Sequence, residues 1–174
     1  MDNFEKDYIQ MFDGIDLCLA QNLQFPTLTL IYSAIDSLAW IAYGDKKNSF
    51  TSWVDEYMYK EKKLVVTSLD LYSARCSIIH RLTPDSRLIN EKKASTIAYA
   101  WGNADIELLE QSIIYSDYKD LKAIHINDLY ESLRLGTLRF KNSDKLKNKD
   151  CVKRINEHYG NLSRKDLEKF NNLS

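Results

Sequence analysis

Between Thr27 and Tyr43 the chain reads T-L-T-L-I-Y-S-A-I-D-S-L-A-W-I-A-Y. Wound as a helix, this run is apolar on nearly every side. Only a thin strip of Thr29, Ser33, Asp36 and Ser37 is polar. A helix with no face to give to water has to be wrapped by the rest of the chain. It is short for a bilayer, which asks for about 20 consecutive apolar residues, and it carries Asp36 at its middle. The segment therefore predicts a central buried helix, opened near Pro26, where a missing N–H does no harm, and ended by Gly44.

The other elements follow from periodicity and punctuation. Phe4, Tyr8 or Ile9, Phe12, Ile15 and Leu19 recur at helical spacing and predict a first helix from about Asp2 to Leu23. Asp45 to Ser49 reads as a loop, and Ser49 or Thr51 as the start of a helix to about Lys60. Thr67 or Ser68 is set to cap a further helix that stops near Leu82, since the residue before Pro84 is driven out of helical geometry. Residues 83–93 read as irregular. Thr96–Trp101 and Lys122–Ile126 look extended and are expected to pair as an antiparallel ribbon beside a helix over Asn103–Tyr118. Asn127 is the expected cap of a helix through Phe140. In the tail, Leu146, Val152, Ile155 and Tyr159 make a thin apolar stripe, and Ser163 is placed to cap a last short helix. With only 2 prolines and 5 glycines in 174 residues, the expected fold is mainly α: a helical bundle forming a single domain over residues 1–174, with a short two-stranded β element and a lysine-rich helical tail from about residue 141.

Charge and cysteine usage narrow the chemistry. The formal net charge is −1, which excludes nucleic-acid binding by overall charge and leaves only local basic surfaces. Cys18, Cys76 and Cys151 form no C-x-x-C, and His80, His125 and His158 show no ligand spacing, so neither a disulfide framework nor a metal site is expected. No P-loop, dinucleotide-binding glycine pattern, H-E-x-x-H or nucleophile elbow occurs, and no cofactor is expected. The acidic start M-D-N-F-E-K-D-Y is unlike a signal peptide. These features read as a cytoplasmic protein.

One stretch breaks the bundle pattern. In L-Y-S-A-R-C-S-I-I-H-R, Arg75 falls amid Leu71, Tyr72, Ile78, Ile79 and Leu82 on one face, while Asp70, Ser77 and Arg81 take the other, solvent-like side. His80 lies at the edge, beside Ser73 and Cys76. A guanidinium cannot shed its proton and, buried alone, costs several kcal/mol. Either an internal carboxylate answers it, with Asp36 the obvious candidate, or the face lines a cleft or subunit contact where Arg75 meets an anion. The two are compatible. Near a helix C-terminus the charged form of His80 is favoured, which keeps an imidazole in the range useful for proton transfer.

Arg75-Cys76-Ser77-Ile78-Ile79-His80 fits R-x4-H, the short form of the R-x(4–6)-H signature, and the chain resembles the HEPN superfamily. Asp36 on an upstream helix and the turn Thr83-Pro84-Asp85-Ser86 after the motif add to the likeness. In many active members a polar Asn, Asp or His follows the arginine; here the residue is Cys76. The resemblance implies a compact helical bundle that dimerises through its motif helices. It also implies a metal-independent endoribonuclease, often a toxin or antiviral effector held in check by an antitoxin or other regulatory protein. On that reading Arg75 and His80 are catalytic, and Asp36 and Cys76 support them. Arg75 holds the scissile phosphate, and His80 moves the proton of the 2′-hydroxyl or of the leaving 5′-oxygen. The products are a 2′,3′-cyclic phosphate and a 5′-hydroxyl. Side chains five apart on a helix diverge, so a two-fold partner would complete the site, with Ser73, Cys76 and Ser77 small enough for close approach.

Between Lys141 and Arg154 six bases stand against two acids, and Lys145, Lys149, Lys153 and Arg154 are the candidate RNA contacts. The alternative is a non-catalytic HEPN-like module that binds RNA, a nucleotide or a protein partner through Arg75. A third reading is a purely structural bundle.

Overall fold

A computed structural model of the protein describes residues 3–81, 87–115 and 120–160, with the backbone alone for residues 3, 6–7, 80–81 and 158–160. The chain enters through α1 (Asn3–Ala20), turns back at a left-handed Asn22 and runs up α2 (Gln24–Tyr43). α3 (Ser49–Trp53) passes straight into a π-helical turn (Val54–Met58) and closes in α4 (Tyr59–Glu61). Then follow α5 (Ser68–Arg81), α6 (Arg87–Asn90), β1 (Thr96–Ala100), α7 (Ile106–Ile114), β2 (Leu121–His125), α8 (Ile126–Lys141) and α9 (Lys149–Gly160). The architecture is mainly α, as the composition predicts. The expected Ser163 cap and the Thr83–Ser86 turn lie outside the described residues.

α2 is the hub, packed against α1, α3, α5, α8 and α9. Ile31, Tyr32, Ala34, Ile35, Leu38 and Ile41 are all fully buried along it, so a helix apolar enough by composition to cross a membrane is here the core of the bundle. Pro26 sits in the first turn, where no intrahelical N–H is lost. Gly44 ends the helix at φ 71° and donates its N–H to the Trp40 carbonyl at 2.7 Å. The last carbonyls of α2 gain a cation from α9. Arg154 donates Nε to Ile41 O at 2.8 Å and Nη2 to Ala42 O at 3.2 Å, the end of a helix where positive charge is favoured. Cys151, also on α9, is buried, whereas Val152, expected in the apolar stripe, is exposed. In α1 it is Tyr8, not Ile9, that turns inward; its hydroxyl donates to Ser37 Oγ at 3.1 Å.

The helix after Ser49 is not the uniform α-helix expected. Its π turn buries Val54, Tyr57 and Met58 under α8. Gly136 of α8 makes the approach: a Cβ there would lie 2.9 Å from Met58 Cα and 3.0 Å from its backbone nitrogen, closer than packed atoms tolerate.

α5 starts as expected, with a reciprocal cap. Thr67 Oγ1 accepts from Asp70 N at 3.1 Å, and Asp70 Oδ2 accepts from Thr67 N at 2.8 Å. The solvent-like side assigned to this helix is a correction: Asp70 and Ser77 are buried at 2% and 1% exposure, as is Ser73 at the edge, while the side chain of Arg81 lies outside the description. That side is covered by the β unit, with which α5 is in contact. Asp70 Oδ1 accepts the Ser95 amide at 2.6 Å, and Oδ2 also accepts from Lys122 Nζ at 2.8 Å, which fastens α5 to the starts of both strands.

The two strands pair parallel, not antiparallel, with Thr96 opposite Leu121 and Ala100 opposite His125. The intervening α7 returns the chain to the same end, as a parallel pair requires. α7 is capped by Asp105, whose Oδ1 accepts from Glu107 N at 2.8 Å. α8 begins two residues earlier than expected. Its cap is His125, whose Nδ1 accepts the Asn127 amide at 3.1 Å, while Nε2 faces Gly102 O at 3.1 Å.

Candidate functional site

The stripe of α5 that carries Arg75 faces a groove. With its other side buried, α5 leaves Tyr72, Arg75, Cys76 and Ile79 partly exposed and Leu69 at the exposed end. Opposite, α2 presents Ser33, Asp36, Ser37 and Trp40, a stripe at three- and four-residue steps. The loop after Gly44 closes one end. The groove measures about 750 Å³, within the range of ligand sites.

Its floor is an ion pair. Arg75 Nη2 donates to Asp36 Oδ2, with the arginine side chain 19% exposed and the aspartate 40%. Burial would lower the Arg75 pKa, but the hydrogen bond and charge of Asp36 outweigh it and raise it further. The guanidinium is thus held cationic with its position fixed from one side. The first sequence-level answer is realised: Asp36 is the internal carboxylate that meets Arg75, and the pair lies along a groove. Cys76 Sγ lies 4.0 Å from Arg75 Nη1. The Tyr72 phenol is raised from its ordinary value, first by Cys76 beside it and then by burial, so it is no general base near neutrality.

α5 is unbroken from Ser68 to Arg81, so Arg75 and His80 start about 140° apart around the axis and about 7.5 Å along it. His80 belongs to the described backbone, and its side chain lies outside the description. Of the small residues expected to ease helix approach, Ser73 and Ser77 are covered by the chain itself. Cys76 alone of the three stays on the open stripe.

The basic tail is a separate place. Lys145 Nζ lies 4.6 Å from the Tyr43 ring centroid. Lys149 opens α9 in an exposed position. Lys153 Nζ is 3.6 Å from Glu157 Oε1. Arg154 is committed to the end of α2. The structure does not bring these four into the Arg75 groove, although Gly44, which lines that groove, abuts Arg154 from behind. Among the described residues no cluster of His, Cys, Asp or Glu could hold a metal ion. Sequence reading passes over Trp40, Lys46 and Lys47, which also line the groove. Trp40 could have been found as the residue one turn beyond Asp36 on its polar strip.

Set against family models, curated proteins and solved structures, the chain finds no match in any of the three.

Proposed function

We propose that the protein is a metal-independent endoribonuclease of HEPN type. It acts in the cytoplasm as a homodimer and cleaves RNA to 2′,3′-cyclic phosphate and 5′-hydroxyl ends. The observation that carries this reading is Arg75, a permanent cation braced by Asp36 at the floor of an open groove. A guanidinium fixed by a carboxylate in the wall of a groove is suited to a phosphate, whose charge grows in the transition state. RNA brings its own nucleophile, the 2′-hydroxyl. What the protein must add is a proton acceptor or donor working near pH 6.5, the ordinary range of an imidazole, and His80 supplies it from the same helix. Because Arg75 and His80 start about 140° apart around the helix axis, the site is completed by a second copy, through the stripe of Leu69, Tyr72, Cys76 and Ile79. A role as toxin or phage-defence effector, restrained by a protein partner, is the setting this activity fits.

The test is RNA cleavage in excess chelator by wild type, Arg75→Ala and His80→Ala, each checked by circular dichroism for unchanged helicity. The expected result is cleavage that falls by at least about a hundredfold in either variant, with cyclic phosphate ends in the wild type. Folded wild-type protein that leaves RNA intact, but loses RNA or anion binding on Arg75→Ala, would replace this reading with that of a non-catalytic binding module.

A further inference from the structure

The groove is longer than its ion pair. Trp40 follows Asp36 on α2 at a distance of about 6 Å along the helix axis. Its indole packs against the core on one side and lines the groove on the other. Nε1 donates to Asp45 Oδ1 at 3.1 Å, which pins the ring's orientation to the following loop. That loop is itself held. Lys46 N donates to Gly44 O at 2.8 Å, Ser49 Oγ donates to Gly44 O at 2.7 Å, and Ser49 is buried. The loop sets the exposed Lys46 and Lys47 on the rim of the same groove. Three cations, Arg75, Lys46 and Lys47, therefore face two acids, Asp36 and Asp45, around an aromatic plate.

We propose that this end of the groove is a stacking subsite for one unpaired nucleotide of single-stranded RNA adjoining the phosphate at Arg75. The base lies on Trp40, and the next phosphate outward meets Lys46 and Lys47. The inference rests on the ribonuclease reading for the phosphate at Arg75 and adds what the ribonuclease reading lacks, a means of grip. An indole inside a groove is reached only by a base that has left its stack, so the site selects single strands over duplexes. Stacking tolerates any base, so the subsite grips without reading sequence.

The experiment measures binding of a fluorescein-labelled oligouridylate by anisotropy in chelator, over a series of salt concentrations, in a His80→Ala background that prevents turnover. Trp40→Leu is expected to weaken binding about tenfold or more, and Trp40→Phe to keep most of it. Lys46→Ala with Lys47→Ala is expected to weaken binding and to flatten the dependence on log salt by about 0.7, the effect of one neutralised phosphate on a single strand. An oligonucleotide with one abasic position at the stacked nucleotide should erase the difference between the protein that keeps Trp40 and the Trp40→Leu variant. Melting curves accompany each variant, since Trp40 also touches the core. Unchanged affinity in Trp40→Leu, an equal loss on the abasic strand, or tighter binding to a duplex of the same sequence overturns the subsite. RNA bound as described but never cleaved by the wild type would sink the ribonuclease reading and leave the subsite standing. Cleavage with a KM indifferent to Trp40 and to both lysines would do the reverse.

Discussion

Asp36 and Asp70 are both acids on buried helices, and their surroundings give them different work. Asp70 is nearly inaccessible and accepts from two backbone amides and from Lys122. Burial pushes its carboxyl up, but Lys122 and the Ser95 and Thr67 donors together bring it below its ordinary value. A carboxylate with a depressed folded pKa stabilises the protein above about pH 3.9, and that contribution fades as pH falls through the folded pKa. Asp70→Asn should therefore lower stability at pH 7 by about 1–3 kcal/mol and flatten the acid limb of the stability curve, both read by urea melts from pH 3 to 7. An acid limb identical to wild type would show that Asp70 is not the linked group. Asp36, half-open to solvent, braces Arg75 instead. Asp36→Asn should leave the melting curve nearly unmoved while cutting RNA cleavage about tenfold, because an amide holds the guanidinium less firmly. A large loss of stability with full specific activity would mark a strut and no more.

At the scale of elements, two junctions depend on residues that look inconspicuous in the sequence. His125 reads from the sequence only as a residue without metal-ligand spacing, yet its ring nitrogen caps α8. His125→Ala should cost about 1 kcal/mol, and His125→Asp, a strong cap, should recover most of it; equal losses in the two would mean that the contact to Gly102 O, not the cap, matters. Gly136 looks like a weak point in a helix and is the place where α8 meets the π turn backbone to backbone. Gly136→Ala gains helix propensity, but the clash should dominate, for a net loss of about 1–3 kcal/mol. Thermal melts decide its sign. Element boundaries are legible in the sequence where a local rule operates, as at Pro26, Gly44 and Thr67. They are not where the deciding contact comes from elsewhere. Asp105 caps α7 and shortens it, and the crossover it makes turns an expected antiparallel ribbon into a parallel pair.

For the whole molecule, the Thr27–Tyr43 run is the most informative feature, because a helix without a polar face can only be a hub. Amphipathic reasoning is weakest for α5, which is pressed between α2 and the β unit. A helix wheel assumes one wet side, so it assigns Asp70 and Ser77 to water and Arg75 to oil, and the structure nearly reverses the two. The Arg75–Asp36 pair itself is readable, since Arg75 is the lone charge on its apolar face and Asp36 the lone charge on the most apolar helix. Trp40 is within reach of the same rule, one turn beyond Asp36, but the groove's lysines are not, because no spacing rule joins α2 to a loop beyond its end. The reversal also leaves the Arg75 stripe as the face available to a second copy. Ile79→Glu on that stripe should yield a folded monomer with RNA cleavage reduced at least tenfold, visible by light scattering and assay together; a dimer that persists would place the contact elsewhere.

The most direct measurement follows specific RNA cleavage in chelator across a dilution series, with molar mass determined at each concentration. A site completed by two chains predicts specific activity that rises and falls with the dimer fraction. Full activity in a monomer, or a stable dimer that cleaves nothing, would contradict it.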